Sequence, residues 1–152
     1  MGEMMFPELG NWIQIKDGDP RGMALFKRHY SYHEYKDNRR RRLFVGPGGK
    51  MVLITRDCDA LFVWRKIIMS DDGQVGVNCA VFRNEGKLLS SELILEAEKL
   101  AWLRWPFERL YTYVALEKIL STNPGYCFKI AGWVECGITK INKHVILEKY
   151  SR

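Results

Sequence analysis

The distribution of apolar and turn-forming residues predicts an α/β fold, a single mixed sheet with helices on both faces. Three observations carry this. Strand-like runs follow one another between hairpin signals over residues 51–82, the pattern of an antiparallel meander. A helical pattern at 90–104 is followed by an alternating run at 109–114, which makes a β-α-β unit and requires parallel pairing. Two further alternating runs near residues 133–149 form a closing hairpin, and helices that flank such a sheet bury it from both sides.

Taken in order, Asn11 to Lys16 alternates and reads as a strand. Asp19-Pro20 supplies an N-cap and a first-turn proline, so a helix is expected from Pro20 to Tyr30, with Met23, Ala24, Phe26 and Tyr30 on its buried face. Residues 31–42 have little apolar content and read as loop, and Gly46-Pro47-Gly48-Gly49 breaks the chain sharply. Met51 to Thr55, Ala60 to Met69 and Val75 to Phe82 are the meander strands, the last two joined at Asp71-Asp72-Gly73. Leu93, Ile94, Ala97, Leu100 and Ala101 share one face of the helix from Ser90 to Arg104, and Trp105-Pro106 ends it. Arg109 to Val114 is a strand, and 116–123 an irregular connection. Asn123-Pro124 opens a short helix to Ala131, which Gly132 stops. Trp133 to Ile138 and His144 to Lys149 pair around a tip at Lys140 to Lys143. No repeat or linker divides the 152 residues, so one domain over 1–152 is expected.

Composition narrows the function classes. The chain is 47% hydrophobic and 28% charged, ordinary for a soluble globular domain, and no apolar run approaches a membrane span. The first residues lack a basic n-region followed by an apolar stretch, so no signal peptide is read. Cys58, Cys79, Cys127 and Cys136 show no C-x-x-C spacing, which argues against zinc and disulfide frameworks and fits reduced thiols in the cytoplasm. The net charge of +6 is concentrated in Lys27, Arg28, Lys36 and the run Arg39, Arg40, Arg41 and Arg42. That run reads either as a solvated basic loop or as a contact for a polyanion such as DNA.

The most informative stretch is 75–105. In it a strand, a glycine-bearing turn and two serines lead into a helix, bringing Arg83, Gly86, Ser90 and Ser91 to a helix start. Unpaired N–H groups and the positive end of the helix dipole suit an anion there, and a phosphate-bearing cofactor is the candidate. The alternative is a plain strand-to-helix connection. Asn78, opposite in facing to Cys79, reads either as an acceptor-binding group or as a partner of neighbouring backbone. The aromatics Trp64, Tyr111, Tyr113 and Trp133 read as core.

The element order from Trp12 to Lys149 resembles that of the Gcn5-related N-acetyltransferases (GNAT). In that family the fourth core strand and the following helix cradle the pyrophosphate of acyl-CoA, on a motif of Gln or Arg, two residues, Gly, one residue, then Gly or Ala. Arg83-Asn84-Glu85-Gly86-Lys87-Leu88 matches its first part, with Leu88 at the second small position. The resemblance implies that Arg83, Gly86, Ser90 and Ser91 bind acetyl-CoA or a related acyl-CoA. Asn123 to Trp133 is similar to the family's segment in which a helix tyrosine precedes an A-G-[WF] turn. Tyr126 and Ala131-Gly132-Trp133 match, and Tyr126 is implied as a general acid near the cofactor thiol; the other reading is a tyrosine half buried on the sheet.

Arg28-His29-Tyr30-Ser31 adds a narrower resemblance, to the Mom-type DNA-modification proteins of phages, which are GNAT-like and carry a His-Tyr pair at the end of their first helical region. It implies catalytic roles for His29, Tyr30 and Tyr126; His29 reads otherwise as a helix C-terminal histidine. In that group these residues, with an aspartate, have been proposed to hold iron. Ala115 stands where the aspartate would fall, and the metal is left unspecified.

The function expected is therefore an acyltransferase with an acyl-CoA-type donor, acting on a nucleobase amine in DNA in a phage or mobile-element setting, with Arg39 to Arg42 on the phosphate backbone. Two alternatives stand beside it: a non-catalytic nucleic-acid-binding module on the same scaffold, and an N-acetyltransferase for a small-molecule or protein amine.

Overall fold

The computed structural model describes residues 4–5, 10–29, 32, 43–115 and 125–151. The strands are β1 (Met4–Met5), β2 (Trp12–Ile15), β3 (Gly49–Thr55), β4 (Ala60–Ile67), β5 (Gly76–Asn84), β6 (Leu110–Val114), β7 (Val134–Ile138) and β8 (Val145–Lys149). The helices among the described residues are α1 (Pro20–Phe26), α2 (Ser90–Arg104) and α3 (Tyr126–Ile130). One eight-stranded sheet runs in the order β1-β2-β3-β4-β5-β6-β8-β7. Every neighbouring pair is antiparallel except β5 and β6, which are parallel. The described residues thus form a mixed α/β fold, as the sequence pattern implies.

Strand alternation divides the core into two layers. Met51, Leu53, Phe62, Trp64, Val77 and Cys79 face α2 and α3, where they meet Leu93, Ile94, Ala97, Leu100 and Phe128. Val52, Ile54, Leu61, Val63 and Val81 face the other way, toward Leu25 and Phe26 of α1 and toward Phe44. Buried indoles fasten α2 to the sheet: Trp12 Nε1 donates to Leu93 O at 2.9 Å and Trp64 Nε1 to Ala97 O at 3.0 Å. Each ring buries its apolar body while its N–H finds an acceptor. Glu98, also on α2 and 2% exposed, accepts from Trp133 Nε1 at 2.8 Å and pairs with Lys149 Nζ at 2.7 Å, joining α2 to the β7–β8 hairpin.

Several expectations are corrected. α1 stops at Phe26, followed by turn residues, rather than running to Tyr30. Its buried face is Gly22, Leu25 and Phe26, while Ala24 is exposed. Gly22 sets that face, because a Cβ there would lie 2.9 Å from the Phe44 ring and 3.0 Å from Leu61. α3 spans Tyr126–Ile130 with Gly125 as N-cap in the left-handed region at φ +74°; Asn123 and Pro124 lie outside the described residues, as do the expected loop over 31–42, Tyr32 apart, and the expected connection over 116–123. β4 ends at Ile67, and β5 reaches Asn84. β1 carries no alternation long enough to be read from sequence; its pairing with β2 defines it.

Candidate functional site

The site expectations converge on β5. Opposite β4 its register shifts: Val63 pairs with Val81 and Trp64 with Cys79, so Ala80 is an extra residue. Such a bulge kinks the strand and raises its twist. On the other edge, β5 pairs with β6 only from Val77↔Leu110 to Cys79↔Thr112. Thr112 Oγ1 donates to Cys79 O at 3.0 Å and closes the ladder there. From Ala80 to Asn84, β5 keeps its β4 neighbour but has no pairing with β6. The two parallel strands therefore part at the bulge, and among the described residues no strand pairs with that edge of β5 beyond Cys79.

The turn after β5 is organised by Asn84. Its Oδ1 accepts from Gly86 N at 3.0 Å, and its Nδ2 donates to Leu88 O at 2.7 Å and to Ser90 Oγ at 2.9 Å. Glu85 N donates to Asp59 O at 2.8 Å. The Asp59 carboxylate closely approaches Gly86: a Cβ there would lie 2.1 Å from Asp59 Oδ2, so a side chain would have to displace that carboxylate. The Gly86 amide is thus already engaged, and a carboxylate abuts that residue. Backbone donors without an intrahelical acceptor lie further on. The N-cap of α2 is Leu89, which makes no side-chain cap bond, and the first backbone bond is Leu93 N to Leu89 O at 3.1 Å. The Ser90, Ser91 and Glu92 amides precede that bond and face no intrahelical acceptor. Ser90 is half-buried and Ser91 buried.

Arg83 sits at the open end of β5 and is bound on two sides. Its Nε donates to Glu85 Oε2 at 2.9 Å and its Nη1 to Arg28 O at 2.9 Å. Arg28 grips the same carboxylate with two bonds of 2.6 and 2.8 Å. Hydrogen bonding from Arg28, then from Arg83, draws the Glu85 carboxyl down to about 2, so it is charged throughout the physiological range. The His29 imidazole lies against the Phe82 backbone and the Arg83 guanidinium. Burial, reinforced by Arg83, lowers it to about 4, so it is neutral at pH 7.

His29, Arg83, Gly86, Ser90 and Ser91 are thereby gathered around the end of β5. Tyr126 opens α3 and is 57% exposed. The α3 side chain turned toward β5 is Phe128, 7% exposed, whose ring meets Phe82 edge-on at 5.9 Å and Trp133 at 4.9 Å. Tyr30, Arg39, Arg40, Arg41 and Arg42 lie outside the described residues. Ala115 is buried, and among the described residues no group of three or more His, Cys, Asp or Glu gathers as a metal site. The four cysteines are free.

Asn84, Glu85 and Asp59 have structural roles that the sequence reading missed. Asn84 carries a usable signal, an asparagine two residues before a glycine at a strand end, the setting of a side-chain-to-backbone turn. The Arg28–Glu85 pair spans 57 positions and leaves no local trace. Of the aromatics expected in the core, Trp64, Tyr111 and Trp133 are buried and Tyr113 half-buried. No described helix is long and apolar enough to cross a membrane. The chain matches no family model, and no curated protein or solved structure is found similar to it.

Proposed function

We propose that this chain is a GNAT-like acyltransferase that takes an acyl-CoA-type donor and delivers the acyl group to a nucleobase amine in DNA. The observation that carries the reading is the parting of β5 and β6 after Cys79 and Thr112, with α2 starting just beyond the end of β5. A pantetheine arm needs such a gap, and its diphosphate needs donors at one end of it. The Ser90, Ser91 and Glu92 amides supply the donors, with the helix dipole behind them. Arg83 and Arg28 add cationic donors once the phosphate replaces Glu85.

In the reaction the acceptor nitrogen attacks the thioester carbon, the C–S bond breaks and the thiolate takes up a proton. The unpaired edge of β5 offers backbone N–H to the carbonyl oxygen as its charge develops. His29, neutral and against the Phe82 backbone, takes the proton shed by the nitrogen and returns it to the leaving thiolate, so the imidazole ends the cycle neutral. The domain is compatible with a cytoplasmic location, where acyl-CoA and DNA are both present.

Calorimetry with CoA and acetyl-CoA tests the donor. Binding is expected, at least tenfold weaker in Arg83→Ala, as befits loss of a charge-assisted contact; absence of heat from either compound refutes the reading. One observation favours the second reading, a nucleic-acid-binding module without chemistry: the α3 side chain turned inward is Phe128, not a phenol. That reading requires DNA binding that survives both Arg83→Ala and Tyr126→Phe and weakens with salt.

A further inference from the structure

Beside the parting strands, on the sheet face that carries α1, Arg65 of β4, Asn78 of β5 and Tyr111 of β6 stand side by side in register. The facing follows from alternation, because Trp64, Val77, Cys79 and Leu110 all belong to the opposite core layer. Tyr113 lies next along β6. Its hydroxyl is bonded to Ser70 Oγ at 3.1 Å and to the Asp72 carboxylate. Tyr111 and Tyr113 meet edge to face at 5.7 Å, with the Arg109 guanidinium 5.0 Å from the Tyr111 ring. Arg65 is fixed by two bonds from Nε and Nη2 to Pro47 O, at 3.1 and 2.9 Å.

Arg65 and Tyr113 in this row have hydrogen-bond partners, and Asn78 differs from them. Its Oδ1 is the one buried side-chain oxygen or nitrogen among the described residues with no hydrogen-bond partner. Such an orphan is uncommon and costly, and a sequence that keeps one at a functional centre leaves an acceptor ready for an incoming donor. Asn78 precedes the last β5–β6 pair by one residue, so the orphan lies at the mouth of the gap.

We infer that Asn78 is the residue that receives and orients the acceptor amine, its Oδ1 taking an N–H from the exocyclic amino group of a nucleobase beside the half-buried Tyr113. An amino group projects beyond its ring and reaches a recessed oxygen. The ring N–H of thymine lies between two carbonyl oxygens that would abut the Asn78 oxygen first. The inference rests on the nucleobase reading above, and it specifies which bases are received: those bearing an amine.

The test compares fluorescence-anisotropy titrations of a labelled single-stranded oligonucleotide of adenine and cytosine with oligo(dT) of equal length, alongside thermal melts. The wild-type protein is expected to favour the amine-bearing strand about tenfold, the value of one hydrogen bond to an otherwise unpaired buried group. Asn78→Leu, similar in shape and without polar atoms, is expected to lose that preference, to keep its affinity for oligo(dT) and to melt at a higher temperature. Asn78→Asp, which keeps the acceptor oxygen, is expected to retain the preference. Equal binding of the two strands by the wild type, a preference that survives Asn78→Leu, or a lower melting temperature for Asn78→Leu overturns the inference. CoA calorimetry on the same preparations separates the two readings. Base preference without CoA binding removes the acyltransferase and leaves Asn78 as a base reader. CoA binding without base preference does the reverse.

Discussion

Glu98 offers the most exacting test of how the site is held, because this carboxylate ties α2, whose first turn is the proposed phosphate site, to Trp133 and to Lys149 of β8. Its side chain is 3% exposed and that of Lys149 is 22% exposed. Glu98→Ala leaves the Trp133 N–H unpaired in the core, at about 1–3 kcal/mol. It also strands the Lys149 ammonium, which costs less because that group reaches solvent and keeps its 2.7 Å bond to Ala131 O. The sum is roughly 3 kcal/mol, at the low end of what breaking a buried pair costs. Lys149→Met leaves a charged carboxylate almost wholly buried and costs about as much or more. Replacing both, by Leu and Met, removes the stranded charge and costs less than the two single changes together by at least about 1 kcal/mol. Equilibrium urea unfolding at pH 7 measures all three, with unchanged m as the control for an unaltered denatured state. Single losses under about 1 kcal/mol, or additivity within about 0.5 kcal/mol, refute the coupling. Burial outweighs the bonds from Lys149 and Trp133 and holds the Glu98 carboxyl above its ordinary value. The folded state therefore favours the protonated form. The contribution from this titration is complete below the unfolded carboxyl range and declines as pH rises through the raised folded value. Relative to Glu98→Gln, the wild type is thus expected to lose ground as pH rises above that range.

Glu85→Gln frees Arg28 and Arg83 from their shared anion; inorganic pyrophosphate is expected to bind several-fold more tightly with a steeper salt dependence, and unchanged calorimetric affinity would show that Glu85 does not compete for this site. His29 is held near 4, below the ordinary imidazole value of 6.5, so its contribution is complete above about 6.5 and is lost as pH falls toward 4. Relative to His29→Gln, the wild type should lose roughly 3 kcal/mol over that window, and an imidazole titrating above pH 6 in proton NMR contradicts this. Gly76 has φ +132°, and a Cβ there would lie 2.3 Å from Arg109 O; Gly76→Ala is expected to cost about 2–4 kcal/mol in urea unfolding by wedging β5 from β6. Gly73, at φ +90° in open space, should cost only about 1–2 kcal/mol when changed to Ala.

What the sequence made legible follows the range of the interactions involved. The extent of α2, its buried positions and the 71–73 turn rest on periodicity, a proline stop and turn chemistry, all local. Parallel pairing of β5 with β6 was legible because a helix between two strands leaves little other choice. The insertion of β8 between β6 and β7 was not, since no local pattern selects a strand's second neighbour. The site divides in the same way. Arg83, Gly86 and Ser90 belong to one contiguous turn, and their proximity could be read directly. The neutralisation of Arg83 by Glu85, with Arg28 arriving from the end of α1, depends on tertiary approach. The Asp59 carboxylate against Gly86 is also tertiary, and it moves the usable donors from the glycine to the first turn of α2.

The additional residue at position 80 acts as a phase change in β5. Before it, odd-numbered side chains point toward α2; beyond it, Phe82 packs on that layer while Val81 joins the opposite one. Arg83 consequently emerges on the side where α1 ends, within reach of Arg28 and His29. Excising Ala80 would reverse the parity of everything downstream, driving a guanidinium toward the apolar layer beneath α2 and turning the Phe82 ring out to water. One surplus amino acid thus decides which surface of the sheet receives the cationic group.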